Sequence, residues 1–233
     1  MKLNIFLILV FVMACNPKKN GNSNISKINQ DTLLINNIVY SLDSIGEKDF
    51  NTIATGNSKD TFSENEIIDD TNNVSRDSLI LTFHLKNGAD SILVNDTTEN
   101  YSKYVSYYYL ESSKYIDYWL VRVQFYEGGG YLLINKEKGN KIFIWSKPVF
   151  SPDKKHFVCY SCDLEAGYIS NGFQLFEVKN KEVLLLWSKE INEWGPSEIR
   201  WKNDSTIYIK KLKMDFNDSK NPNQISYKSM KIK

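Results

Sequence analysis

The sequence has few histidines and almost no net charge. It contains 29 Lys and Arg against 28 Asp and Glu, for a net charge of +1, which argues against a nucleic-acid-binding protein. The two histidines, His84 and His156, have no partners at metal-ligand spacing, so we expect no metal site. The glycines at 128–130 precede a predicted strand, whereas a phosphate loop needs a following helix, so they indicate a flexible hairpin turn. We expect no cofactor.

The sequence also lacks an apolar run long enough to cross a bilayer. Its longest run, residues 3–12, is about ten residues, and a membrane-spanning helix needs about 20. This run follows Met1-Lys2 and leads into Val12-Met13-Ala14-Cys15. A basic start, a short apolar core and a small residue before the cleavage position describe a secretory signal. The rest of the chain is apolar enough to fold, since 42% of all residues are hydrophobic.

The segment Val12-Met13-Ala14-Cys15 resembles the lipobox of bacterial lipoproteins. The resemblance implies cleavage before Cys15 and attachment of a diacylglyceryl group to its thiol, commonly with acylation of the new amino terminus. Residues 1–14 are then the signal peptide, 15–31 a flexible polar tether and 32–233 a single β-rich domain. Asn16 differs from the aspartate that retains some lipoproteins at the inner membrane. The resemblance therefore implies an anchor in the outer membrane of a bacterial envelope, facing the periplasm.

The body of the chain reads as short strands separated by turns. Residues 79–85 and 91–94 flank a Lys-Asn-Gly turn, and similar segments rich in β-branched and aromatic residues follow to the end. No long window has helical periodicity, so we predict an all-β, antiparallel protein. Before residue 79 the prediction is less regular: a strand at 32–40, a short helix within 47–61 and a mobile acidic loop at 61–77.

The second half of the chain contains a weak internal repeat. Residues 131–147 align with 173–189, so that two Trp-Ser-Lys triplets lie 42 residues apart, and 150–158 is echoed by 201–209. This period, with four short strands in it, is typical of a propeller blade. Residues 118–213 resemble two blades of TolB-type and WD-repeat propellers. We predict a propeller-blade-like meander, with a β-sandwich as the alternative. The sequence does not decide whether the blades close into a ring.

Cys159 and Cys162 have the spacing C-x-x-C, but they end a predicted strand outside any βαβ pattern. Cysteines three apart on a regular strand point to opposite faces, and a disulfide between them requires a bend. Three interpretations stay open: structural thiols, a local disulfide allowed by an oxidising periplasm, and a redox or metal function.

Candidate binding residues come from an aromatic run and an acidic loop. Tyrosines on both faces of one predicted strand indicate either a binding surface or cross-strand packing in the core. Trp194 lies in a predicted turn, and the loop 163–171 carries two acids beside Tyr168. The candidates are Tyr107, Tyr108, Tyr109, Trp119, Trp194, Asp163 and Glu165.

The sequence therefore favours a membrane-anchored envelope lipoprotein whose domain binds a protein, a peptide or a glycan without catalysis. One alternative is a periplasmic hydrolase that takes its acids from the loop 163–171. Another is a structural subunit of an envelope assembly. Catalysis is the weaker expectation, because no histidine or acid has recognisable partners for proton transfer.

Overall fold

A computed structural model describes residues 32–55, 70–215 and 222–232 of the chain. The predicted signal peptide, Cys15 and tether lie outside these residues. The described part forms seventeen strands and one short helix. In chain order these are β1 (Thr32–Ile35), β2 (Ile38–Ser41), β3 (Asp43–Ser44), α1 (Glu47–Asn51), β4 (Val74–Asp77), β5 (Ile80–His84), β6 (Asp90–Val94), β7 (Val105–Ser112), β8 (Tyr118–Phe125), β9 (Gly129–Asn135), β10 (Lys141–Ile144), β11 (Val149–Phe150), β12 (His156–Ser161), β13 (Gly172–Lys179), β14 (Glu182–Glu190), β15 (Gly195–Asn203), β16 (Thr206–Met214) and β17 (Asn223–Lys231).

The strands form four antiparallel sheets and a separate hairpin. Sheet I contains β4 to β6, sheet II β7 to β10, and sheet III β11 to β14, each as a meander of consecutive strands. Sheet IV contains β15, β16 and β17 with β3 at its edge, and β1 pairs only with β2. The prediction of an all-β protein built from antiparallel, blade-like meanders is confirmed.

Hydrophobic clusters join each sheet to the next one along the chain. Phe83 of sheet I packs with Trp119 of sheet II, and Leu133 of sheet II shares a cluster with Phe157 of sheet III. A third cluster joins sheets III and IV to the β1–β2 hairpin. None of these clusters contains residues of both sheet I and sheet IV in the described part of the chain. The described sheets therefore pack in more layers than the two of a β-sandwich.

The two middle sheets are buried on both faces. Successive residues of β8 show this directly, since Tyr118 belongs to the cluster with sheet III and Trp119 to the cluster with sheet I. Alternation of side chains along a strand sends neighbours to opposite faces, and here both faces are covered. This double coverage explains why the central strands read as continuous apolar and aromatic runs.

The two ends of the described domain meet in sheet IV. Asp43 and Ser44 of β3 pair with Ser229 and Lys228 of β17. From the opposite edge strand, β15, the buried Arg200 donates through Nη1 to the carbonyl oxygens of Phe50 in helix α1 and of Ile53 just beyond it. A residue of the edge strand opposite β3 thus holds the N-terminal segment in place.

The predictions for the first 77 residues need correction. Residues 32–40 form a hairpin instead of one strand, because Asn36 and Asn37 take φ values of 47° and 63° and make a tight turn. The short helix is present, but it covers only Glu47–Asn51. The predicted mobile loop at 61–77 extends too far, because its last residues, Val74–Asp77, form strand β4. This strand pairs with Ile80–His84.

The internal repeat corresponds to equivalent strands of neighbouring sheets. Residues 150–158 span the first two strands of sheet III, and 201–209 span parts of the first two strands of sheet IV. The turns between these strands touch, since the backbone N–H of Asp153 donates to Oδ1 of Asp204 at 2.9 Å. The similar sequences therefore encode similar strand–turn–strand units that stack side by side.

Candidate functional site

Most of the predicted aromatic binding residues lie in the core. Tyr109, Trp119 and Trp194 are 0%, 1% and 5% exposed. The indole N–H of Trp119 donates to Oδ2 of Asp70 at 2.8 Å, which satisfies its only polar atom. Tyr109 and Trp119 lie in sheet II, which is covered on both faces, and Trp194 belongs to the cluster that joins sheets III and IV. All three rings therefore fill the interior.

Tyr107 and Tyr108 are only half-buried, but they too belong to the packed sheet. Tyr107 packs against the cluster between sheets I and II, and burial raises the pKa of its phenol. Tyr108 lies directly opposite Arg122 on β8. Of the two interpretations that the sequence left open for these tyrosines, the packing interpretation fits their burial.

A different set of aromatic side chains is exposed at one end of sheet II. Phe125 and Phe143 are 40% and 42% exposed, and their ring centroids lie 6.4 Å apart. Tyr168, from the loop between β12 and β13, is 56% exposed. Next to them, Tyr101 stacks on Tyr126 with centroids 4.2 Å apart. Exposed rings grouped in this way indicate an interaction site more strongly than single exposed apolar residues do.

These rings surround a surface groove. Two adjoining cavities, of about 320 and 200 Å³, share Gly129, Trp145 and Ile169 in their walls, and we describe the pair together as one depression. We call this depression the aromatic groove. Its lining residues are Arg122, Gln124, Phe125, Gly128, Gly129, Gly130, Tyr131, Phe143, Trp145, Tyr168, Ile169 and Ser170.

The glycines of residues 128–130 form the floor of the aromatic groove by allowing close contacts. A Cβ atom on Gly128, whose φ is 78°, would lie 2.8 Å from Cγ2 of Ile169. A Cβ atom on Gly130 would lie 2.5 Å from Cζ of Phe143. The sequence predicted a flexible turn here, but Gly129 and Gly130 belong to β9 and the segment is tightly packed. The glycines are required because larger residues would push the walls of the groove apart.

The polar side of the aromatic groove is held by a short hydrogen-bond chain. The amide of Gln124 donates to the carbonyl oxygens of Phe125 and Gly128 at 2.9 and 2.8 Å. Nη2 of Arg122 donates to Oε1 of Gln124 at 3.2 Å. Arg122 is the only charged residue among the described lining residues. The groove therefore combines five aromatic residues with one positioned cation.

Asp163 fixes the loop that forms the other wall. Its Oδ1 accepts the backbone N–H groups of Ala166 and Gly167, and its Oδ2 accepts those of Tyr168 and Ile169, all at 2.8–3.0 Å. Burial by itself raises the pKa of Asp163. The four hydrogen bonds from backbone N–H groups outweigh this effect and hold the pKa below its ordinary value. The carboxylate thus organises the loop and positions Tyr168.

The two other predicted residues on this side differ in role. Glu165 is exposed on the loop. Trp194 is buried next to the base of the loop, where the side-chain amide of Asn171 donates to the carbonyl oxygens of Ile191 and Trp194 at 2.6 and 2.9 Å. A third depression, of about 490 Å³, lies behind the loop and contains Asp163 in its wall.

A disulfide between Cys159 and Cys162, one of the three interpretations that the sequence left open, is absent from the structure. Both residues carry free thiols, with Cys159 fully buried and Cys162 partly buried. Strand β12 continues in extended form to Ser161, so the two side chains point to opposite faces, Cys159 towards sheet II and Cys162 towards Gly195. Burial raises the pKa of both thiols, which keeps them protonated. Protonated thiols are poor nucleophiles and poor metal ligands.

The titratable groups outside the loop form no catalytic constellation in the described ranges. Nδ1 of His84 lies 2.7 Å from Asp90, but both side chains are about half exposed on the outer face of sheet I. Among residues 32–55, 70–215 and 222–232, no group of three His, Cys, Asp or Glu side chains could hold a metal ion.

Comparison of the chain with protein families, curated proteins and solved structures gives no match. Within the described residues, no helix has the length and apolar character required to span a bilayer.

Sequence reasoning missed Phe125, Phe143 and Trp145 as functional candidates. Phe125 ends β8, Phe143 and Trp145 lie on either side of the last residue of β10, and all three line a cavity together with Gly129. Three consecutive glycines between two aromatic strands were the available signal, because they permit close approach of backbone and rings.

Proposed function

We propose that this chain is a lipid-anchored protein of the bacterial envelope whose β domain binds an envelope protein, a peptide or a glycan through the aromatic groove. The observation that carries the proposal is the grouping of exposed Phe125, Phe143 and Tyr168 around Trp145 in an open depression. Aromatic side chains offer large contact areas at a low cost in side-chain entropy, which is why binding surfaces favour them.

The rigidity of the aromatic groove also supports a binding role. The glycine floor leaves no space for the walls to move inward, and Asp163 ties the loop at four backbone positions. A site that is ordered before its ligand arrives loses less entropy on binding.

The alternative of a hydrolase has weaker support. It would take its acids from the loop 163–171, where Asp163 uses both carboxylate oxygens to hold backbone N–H groups. A general acid needs a pKa near the working pH, and the pKa of Asp163 is shifted in the opposite direction. Binding without catalysis therefore accounts better for this loop.

The anchor part of the proposal rests on Val12-Met13-Ala14-Cys15. Intact-mass spectrometry of the protein from its native host tests it. We expect the chain to begin at Cys15 and to carry the mass of diacylglyceryl and acyl groups. A Cys15→Ala variant is expected to leave the membrane fraction. A chain that retains its first fourteen residues and an unmodified thiol would contradict the anchor.

Photo-crosslinking in the native host tests the groove. A benzophenone amino acid, which inserts into C–H bonds of proteins and glycans alike, replaces Phe143 in one variant and Leu184 in the other. Leu184 is the matched control, because it is 58% exposed on β14, away from the groove. We expect a discrete adduct only from position 143, and its loss when Trp145→Ala is added. Adducts from position 184 alone would instead support the structural-subunit alternative.

A further inference from the structure

A further cavity, of about 330 Å³ and separate from the aromatic groove, opens between sheets II and III at the opposite end of β8 from Phe125. Buried Leu120, Leu133 and Val149 contribute to its lining, together with three lysines, Lys114, Lys147 and Lys154. We propose that this cavity, which we call the lysine cavity, binds a small organic anion that has an apolar body, such as an aromatic carboxylate or sulfonate.

The charge of the lysine cavity is concentrated locally. The three lysines come from three separate connections between strands, and Glu111 is the only acid among the described lining residues. The whole chain has a net charge of +1, so an excess of two positive charges around one cavity is a property of this site. Like charges held near one another favour the binding of an anion, which relieves their repulsion.

Lys154 is held over the cavity by its turn. Its φ of 61° lies in the left-handed region, where an L-residue is strained and glycine is not. The turn is fixed because the N–H of Lys154 donates to the carbonyl of Ser151 at 3.0 Å. Nζ of Lys154 then lies 4.7 Å from the ring centroid of Tyr115. The conformation places a cation beside an aromatic wall of the cavity.

The aromatic wall and the apolar lining define the rest of the ligand. The ring of Tyr115 meets Phe150 edge-on, with centroids 5.0 Å apart, and both line the cavity. An inorganic anion would leave this apolar surface in contact with water, whereas an anion with an aromatic or aliphatic body would cover it. The lysine cavity shares no lining residue with the aromatic groove, so the two sites are independent.

Fluorescence titration with 8-anilino-1-naphthalenesulfonate tests the proposal, with uncharged N-phenyl-1-naphthylamine as the comparison probe. The variant Lys114→Gln/Lys147→Gln/Lys154→Gln is expected to bind the sulfonate at least about tenfold more weakly than the natural chain, by loss of charge-assisted contacts. Binding of the uncharged probe is expected to change less than about twofold. The control Lys179→Gln/Lys202→Gln/Lys213→Gln removes the same charge from exposed positions and should leave both affinities unchanged.

A second pair of variants separates binding from folding. Lys154→Gly and Lys181→Gly each remove a lysine from the left-handed region, since φ is 61° at one position and 64° at the other. Both variants should keep or raise the melting temperature, and only Lys154→Gly should weaken binding of the sulfonate. Equal affinities in all lysine variants would overturn the proposal. Loss of sulfonate binding in Trp145→Ala would also overturn it, by placing the probe in the aromatic groove.

Discussion

At the scale of single residues, Asp163 links the stability of a loop to the shape of the aromatic groove. Its two oxygens accept four backbone N–H groups, and two of these belong to Tyr168 and Ile169, which line the groove. A single carboxylate therefore substitutes for the strand pairing that this segment lacks.

We predict that Asp163→Asn lowers the free energy of unfolding by about 1 kcal/mol near neutral pH, because a neutral amide offers one acceptor oxygen instead of two. The pKa of Asp163 is lowered in the folded protein. Its stabilising effect is therefore complete above the ordinary pKa of about 3.9 and is lost as the pH falls through the lower folded value. Urea unfolding of both proteins between about pH 7 and pH 3 measures the difference.

The control for this prediction is Glu165→Gln, which changes an exposed acid of the same loop. We expect it to alter the unfolding free energy by less than about 0.5 kcal/mol at every pH. If the difference between the natural chain and Asp163→Asn stayed constant down to pH 3, the assignment of the four bonds to an ionised carboxylate would be contradicted.

The aromatic residues show what single positions in a sequence can and cannot reveal. Alternation along a strand correctly separated Tyr107 and Tyr109 from Tyr108 by face. It did not reveal that both faces of sheet II are covered, because the covering residues belong to sheets I and III and not to the strand whose alternation is read. Residue type was no guide either, since tryptophan is buried at position 119 and borders a groove at position 145.

At the scale of elements, strand β9 begins with glycines because it passes under an aromatic ring. The Cβ position of Gly130 lies 2.5 Å from Cζ of Phe143, on the neighbouring strand β10. The position requires the absence of a side chain, independently of backbone conformation.

We predict that Gly130→Ala destabilises the protein by about 1–3 kcal/mol through overpacking and displaces the ring of Phe143. Denaturant unfolding measures the first effect, and the crosslinking yield of a benzophenone side chain at position 143, which meets the same clash, measures the corresponding displacement. Adding Phe143→Leu should recover part of the lost stability, since the smaller side chain relieves the clash.

Gly88→Ala is a suitable comparison for this variant. Its φ of 84° makes alanine strained, but a Cβ atom there would meet nothing within 4 Å. It should therefore lower stability and leave crosslinking from the groove unchanged. Equal effects of the two alanine variants on crosslinking would show that overall destabilisation, and not displacement of Phe143, disturbs the groove.

Elements could be predicted from sequence where local signals decide. Strands such as Ile80–His84 and Asp90–Val94 follow from alternation and a Lys-Asn-Gly turn. The hairpin at Asn36 and Asn37 was missed because asparagine pairs that adopt positive φ look like ordinary polar residues in a strand. The groove was missed because its walls, β10 and the loop 163–171, meet only after sheets II and III have formed.

At the scale of the whole molecule, the N-terminal residues complete the C-terminal sheet. Strand β3 supplies the edge of sheet IV, and the preceding Leu33, Ile35, Tyr40 and Leu42 belong to the cluster between sheets III and IV. Folding of the last strands therefore depends on residues almost two hundred positions earlier, which gives the domain many non-local contacts.

We predict that Leu42→Ala, at a position 1% exposed, lowers the free energy of unfolding by about 2–5 kcal/mol through cavity formation. Amide exchange should accelerate most in Asn223–Lys231, the strand paired with β3. Val39→Thr, at a position 55% exposed, should cost less than about 0.5 kcal/mol. Faster exchange confined to Thr32–Ser41 would contradict the structural link between the two ends of the domain.

Hydrogen–deuterium exchange of the purified protein, with and without detergent-solubilised envelope from its native host, tests the proposed binding role most directly because it samples every segment. We predict slower exchange in three segments that border the aromatic groove: 125–131, 143–146 and 163–171. The same measurement with Trp145→Ala should show no slowing. Unchanged exchange throughout, or slowing confined to the exposed edge strand Glu182–Glu190, would contradict the account.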